Sequence, residues 1–133
     1  MPHGSANIRT TSQPFAGRCI LIVEDEYFLA DDLAGEFRRL GADVIGPMSD
    51  VSDAQELLRS GPALDAALLD INLRNEMVFP VARALRERKI PFVFTTGYDK
   101  ASVGSEFADI PLWEKPIDVS AMADFLAAEI DQH

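Results

Sequence analysis

Four stretches of this chain carry residue types suited to holding a metal ion and a phosphoryl group. Glu24 and Asp25 directly follow the apolar run Cys19–Val23, and Asp70 ends the run Ala66–Leu69. Thr95 and Thr96 follow Phe92–Phe94, and Pro111–Trp113 runs through Glu114 into Lys115-Pro116. Short uninterrupted apolar runs read as fully buried strands of a parallel sheet. Carboxylates do not belong inside such strands. They are expected at the C-terminal ends, where open α/β sheets bind their ligands. Close carboxylates raise one another's pKa unless a cation compensates. Magnesium, or manganese, takes oxygen ligands and commonly uses one or two carboxylates plus phosphate oxygens. Glu24, Asp25 and Asp70 fit that role, while Lys115 and the Thr96 hydroxyl fit phosphoryl oxygens. Phosphoryl transfer asks mainly for such positioning and charge neutralisation.

Each piece alone has a plainer reading. Acids after a strand commonly sit at a helix N-terminus because its dipole favours them. Lys-Pro is commonly a turn, threonine suits any strand, and Asp70 alone would serve as a helix cap. The joint placement at the ends of four strands is the informative feature.

The elements that must position these residues follow from periodicity. A strand over 19–24 leads into a helix over about 26–40, with Leu29, Leu33, Phe37 and Leu40 at helical spacing and Gly41 as the stop. Asp31, Asp32, Arg38 and Arg39 fall mostly off that stripe, on a solvated face. A second strand, Ala42–Ile45, ends at Gly46-Pro47, and a helix over about 50–60 stops at Gly61-Pro62. A third strand over 65–70 is followed by a helix over about 77–89, where Pro80 is tolerable only near the first turn. A fourth strand covers 91–96. Residues 97–109 lack apolar periodicity, so a helix there would be short or frayed. The fifth strand is 110–114, and the last helix starts after Asp118, a good N-cap, carrying Met122, Phe125, Leu126 and Ile130. Alternation of this kind predicts an α/β fold, a flavodoxin-like (βα)5 doubly wound parallel sheet with strand order 2-1-3-4-5. Its switch point lies between the first and third strands, where Asp25 and Asp70 end.

With 133 residues the chain suits one domain. Residues 1–17 are polar and lack the apolar core of a signal peptide, so they are expected to be a flexible extension before a domain over 18–133. A net charge of −10 opposes nonspecific nucleic-acid binding, which needs Lys and Arg to displace counterions. Cys19 is the single cysteine and reads as a small buried hydrophobe. No apolar stretch approaches the roughly 20 residues needed to cross a bilayer, so the expected location is cytoplasmic.

Four motifs in order resemble the receiver domain of two-component response regulators (CheY-like): ILIVEDE at 20–26, LLDINL at 68–73, TTGY at 95–98 and EKP at 114–116. The resemblance covers about residues 18–131. It implies that Asp70 is the phosphoacceptor and Asp25 a magnesium ligand, with Glu24 acting through water and Asn72 giving its backbone carbonyl to the metal. Thr96 and Lys115 would contact the phosphoryl group, and Lys115-Pro116 would be a cis peptide, which only X-Pro bonds adopt readily. NLRNEMVFPVARALRERKIPFVFTTGY is similar to a narrower receiver subgroup, often single-domain, marked by a Phe-Ala-Thr-Gly-Tyr-type motif. That likeness implies HWE- or HisKA2-type histidine kinases, or a phosphotransfer protein, as the phosphoryl source. Thr95 stands where the subgroup has Ala, and Leu112 stands where most receivers carry a switch aromatic. The switch is therefore expected at Thr96, Gly97 and Tyr98 and the residues after them.

No DNA-binding output domain is expected, so output is expected through protein contact, phosphate relay or a phosphate sink, with no direct nucleic acid or membrane partner, whether the chain stands alone or is an excised domain of a hybrid kinase. The receiver is not expected to be an enzyme beyond its own phosphorylation and dephosphorylation. Two other readings share the fold. A phosphohydrolase with an Asp nucleophile wants Asp-x-Asp where this chain has Asp70-Ile-Asn72. A flavin-binding module wants a Ser/Thr/Gly-rich loop where this chain has Glu24-Asp25-Glu26, which repels phosphate.

Overall fold

A computed structural model describes residues 13–73, 76–97 and 103–132. The elements in order are β1 (Cys19–Val23), α1 (Tyr27–Arg39), β2 (Asp43–Met48), α2 (Val51–Ser60), β3 (Ala66–Asp70), β4 (Asn72–Leu73), β5 (Glu76–Met77), α3 (Phe79–Glu87), β6 (Phe92–Thr96), β7 (Leu112–Glu114) and α4 (Val119–Asp131). Five strands form one parallel sheet in the order β2-β1-β3-β6-β7. This is the expected 2-1-3-4-5 order once the short antiparallel pair β4-β5, which periodicity did not announce, is set aside.

Period-two alternation divides the strands between two cores. Leu21, Val23, Ala67, Leu69, Phe92 and Phe94 face α2 and α3. Ile20, Ile22, Ala66, Leu68 and Val93 face α1 and α4. The central strands are buried on both faces, which is why they read as continuous apolar runs. Leu112 joins the first core and Trp113 the second, where it meets Phe125 edge-on at 5.9 Å.

The structure shifts several expected boundaries, among them β7, which covers 112–114 of the expected 110–114. β2 does not stop before Gly46-Pro47 but passes through it to Met48, with a register slip against β1 between Leu21 and Val23. Gly46 makes this possible: its φ is +100°, and a Cβ would lie 2.6 Å from the Ile22 carbonyl oxygen. The slip delivers the Met48 carbonyl to the Glu24 N–H at 2.8 Å. At the N-terminus, Phe15 is fully buried, meets Phe37 at 5.0 Å and donates its N–H to the Leu40 carbonyl at 3.0 Å. Phe15 thus packs into the core although it precedes residue 18, because one aromatic among polar neighbours suffices to anchor the chain; residues 1–12 lie outside the described residues. Finally, α3 covers only 79–87 of the expected 77–89, with Pro80 in its first turn.

Residues 103–109 contain no α-helix. Phe107 holds this segment instead. It is buried, stacks on Phe79 at 5.4 Å and meets Phe94 edge-on at 5.6 Å. Arg83 pairs with Glu106 through two bonds of 2.8 and 2.9 Å, and Arg86 pairs with Asp109 at 3.0 Å while lying over the Phe107 ring.

Candidate functional site

The C-terminal ends of β1, β3, β6 and β7 converge on one buried polar cluster. Parallel register puts Val23 beside Leu69, Asp70 beside Thr95 and Thr96 beside Glu114. Glu24 and Asp70, at 3% and 4% exposure, are therefore neighbours at the edge of the core. Thr95 and Thr96 are buried with them, and Asp25 is partly exposed.

Lys115 is the cation of this cluster. Its Nζ donates to Glu24 Oε2 at 3.1 Å, to Asp70 Oδ2 at 3.2 Å and to Glu26 Oε1 at 3.2 Å. Its backbone N–H donates to the Thr96 carbonyl at 2.8 Å, which extends the β6–β7 ladder and fixes where the side chain starts. The Lys115-Pro116 peptide is cis, as is Gly46-Pro47. Asp70 is held at its other oxygen by the Asn72 N–H, at 3.3 Å from Oδ1. Glu24 accepts the Glu26 N–H at Oε2, 3.0 Å, and the Thr95 hydroxyl at Oε1, 3.4 Å.

Charge is poorly matched here. Burial, and then the nearby Asp70 charge, push the Glu24 carboxyl up to about 7, outweighing the Glu26 N–H and Lys115. Burial also raises Asp70, although Lys115 pulls it back. For Lys115 burial works against the charge, but Asp70 and Glu24 win and hold its ammonium well above the ordinary range. Even with this lysine, the acids favour a further cation. Glu24, Asp25 and Asp70 each offer an oxygen within 4.8 Å of the others. A hard, all-oxygen donor set of this kind fits magnesium, which keeps part of its water shell. Beside it opens a cleft of about 380 Å³, lined by Glu24, Asp25, Tyr27, Asp31, Arg38 and Ser49 among others.

Of the residues singled out in the sequence, Glu24, Asp25, Asp70 and Lys115 meet in this cluster, and Thr96 joins it through its carbonyl, which accepts the Lys115 N–H. Asn72 reaches Asp70 through its N–H and pairs with Met77 in the short antiparallel ladder. Gly97 lies against the Lys115 stem, and a Cβ there would meet only Lys115 Cδ, at 3.8 Å. Tyr98 lies outside the described residues. Two contacts were not foreseen. Thr95, whose hydroxyl reaches Glu24, could have been found from the period-two register that sets it opposite Asp70. Glu26, whose carboxylate reaches Lys115, had no sequence signal of its own, since it reads as one more acid at the start of the helix.

No family model and no curated protein matches the chain. Solved structures do. The response regulator receiver protein from Sinorhizobium medicae WSM419 is 28% identical, with a TM-score of 0.75 over 86% of this chain and 94% of that one. SdrG from Sphingomonas melonis Fr1 is 39% identical, with a TM-score of 0.66 over 86% of this chain and 96% of that one. The BeF3-activated conformation of SdrG, from Pseudomonas melonis Fr1, is 37% identical, with a TM-score of 0.59 over 84% and 95%.

Proposed function

The chain belongs to the response regulator receiver domains, and from that premise we propose that it is a magnesium-dependent switch that accepts a phosphoryl group on Asp70. The observation that carries this reading is the Lys115 Nζ held 3.2 Å from an Asp70 carboxylate that is buried beside two further acids. Asp25 and Asp70 would hold the metal directly, Glu24 through water, and Asn72 through its carbonyl. When bound, the magnesium ion neutralises the acids and the charge developing on the transferred phosphoryl oxygens.

The chain's own residues supply the rest. Asp70 is the nucleophile, and β3 and the Asn72 N–H fix its orientation. Its carboxylate oxygen forms a bond to phosphorus while the donor's bond to phosphorus breaks and the electron pair leaves with the donor. Lys115 and the Thr96 hydroxyl receive the phosphoryl oxygens. The donor is a phosphohistidine of a histidine kinase, of HWE or HisKA2 type, or of a phosphotransfer protein. Tyr27 and Phe28, an exposed aromatic pair on the first turn of α1, offer apolar area for that protein beside the cleft. Output is a protein contact or phosphate relay, switched through Thr96, Gly97 and Tyr98. Among the described residues no helix is long and apolar enough to cross a membrane.

Mass spectrometry after incubation with a small phosphodonor and magnesium tests this. One acid-stable, base-labile adduct is expected, mapped to Asp70, absent from a folded Asp70→Asn variant and strongly reduced in Asp25→Ala. Undiminished labelling of Asp70→Asn would refute the assignment.

A further inference from the structure

An ammonium has three donors, and all three on Lys115 are engaged by the carboxylates of Glu24, Asp70 and Glu26. If Asp70 takes a phosphoryl group, as proposed above and as this inference assumes, that group needs one of those donors. The three contacts are not equally easy to release. Glu24 is nearly fully buried, and breaking its pair strands a buried charge, whereas Asp70 gives up its charge when its oxygen bonds to phosphorus, which leaves Glu26 as the carboxylate that competes with the phosphoryl group for the ammonium. The Glu26 side chain is 59% exposed, so water replaces the lysine when it lets go.

A second observation concerns the helix. Glu26 is the N-cap of α1, with extended backbone angles of −82° and 109°, yet its side chain makes no cap bond. Ser, Asp and Asn are the residues that cap well, and Asp50 and Asp118 do so for α2 and α4. At Glu26 the carboxylate crosses to β7 and takes Lys115, and the helix forgoes its cap. The Glu26 backbone N–H separately donates to Glu24 Oε2, and that contact survives a change of side chain.

We propose that Glu26 is a positioning residue that latches Lys115. It competes with the phosphoryl group for the Lys115 ammonium, and so it sets the affinity of the site for that group. The probe is beryllofluoride with saturating magnesium, titrated calorimetrically into the full chain and into Glu26→Gln and Glu26→Asp. Glu26→Asp keeps the charge but shortens the side chain and lets it cap α1, so it separates contact from charge.

Both variants are expected to bind beryllofluoride about two- to five-fold more tightly than wild type, the size of one exposed ion pair. The Lys115 ammonium resonance should shift in both free variants and coincide with wild type in all three complexes. Unchanged or weaker binding by both variants overturns the latch. Tighter binding by Glu26→Gln alone, with Glu26→Asp like wild type, also overturns it, because bulk charge then explains the gain. A wild-type chain that binds no beryllofluoride overturns the functional reading itself, and the latch with it, whereas failure of the variants alone leaves that reading intact.

Discussion

The Glu24 carboxyl is raised from 4.5 to about 7 by burial and by Asp70, which makes the site responsive to pH. A folded-state value above the unfolded one means that the folded chain holds a proton the unfolded chain has already lost. Stability from this group is therefore fully present below about 4.5 and falls as pH rises through about 7. Asp70 is shifted in the same direction. The metal-free domain should show a falling melting temperature across that window, and Glu24→Gln should flatten the fall. Magnesium should reverse it, because a ligand that binds only the folded state stabilises it. Magnesium affinity should rise over the same interval as protons stop competing for the carboxylates. Calorimetric melts with and without magnesium check both, and a wild-type melting temperature that is flat with pH and parallel to Glu24→Gln would count against the buried-acid account.

At the scale of elements, the segment 103–110 is held by the buried Phe107, by Val103 and Ile110 packed at the edge of the core, and by two ion pairs rather than by an α-helix. Phe107 is fully buried among Phe79, Phe92 and Phe94, whereas the Arg83–Glu106 pair is about half exposed. Area and dispersion make the ring the main anchor, and screening makes the ion pairs minor. Phe107→Ala should destabilise the domain by about 3 kcal/mol or more, and Glu106→Gln should leave stability nearly unchanged in denaturant melts. Phe94 lies two residues before Thr96, on the same side of β6, and touches Phe107. Under the proposed function, a shift of Thr96 toward the phosphoryl group should pass through Phe94 to the 103–110 segment. Hydrogen exchange with beryllofluoride and magnesium should change there. Changes confined to β7 and α4 would place the switch elsewhere.

For the whole molecule, a parallel sheet gathers its strand ends on one side, and this chain puts acids at the ends of three of its four site-bearing strands (Glu24 and Asp25 after β1, Asp70 on β3, Glu114 on β7) while carrying a net charge of −10. The resulting field repels a small anionic phosphodonor. Labelling of Asp70 by such a donor at fixed saturating magnesium should speed up as ionic strength rises from about 0.01 M to about 0.15 M, where the screening length falls from roughly 30 Å to roughly 8 Å. Stopped time points read by mass spectrometry give the rate, and a rate that falls with salt would show that local positive charge governs the encounter.

The sequence by itself determined the strand order, the strand ends and the residues placed there. Short uninterrupted apolar runs suit a sheet covered on both faces, and charged residues are costly in its middle, so they collect at the strand ends. Glu24, Asp25, Asp70, Thr96 and Lys115 were legible for that reason. Tertiary structure decided what periodicity does not encode. The Gly46-Pro47 slip continues β2 to Met48 because a glycine with positive φ fits under the Ile22 carbonyl. Phe15 belongs to the core because Phe37 and Leu40 happen to lie opposite it. Thr95 meets Glu24 through sheet register, and Glu26 meets Lys115 only because the end of β7 folds against the start of α1. Contacts between residues distant in the chain depend on three-dimensional register, and a one-dimensional pattern carries little of it.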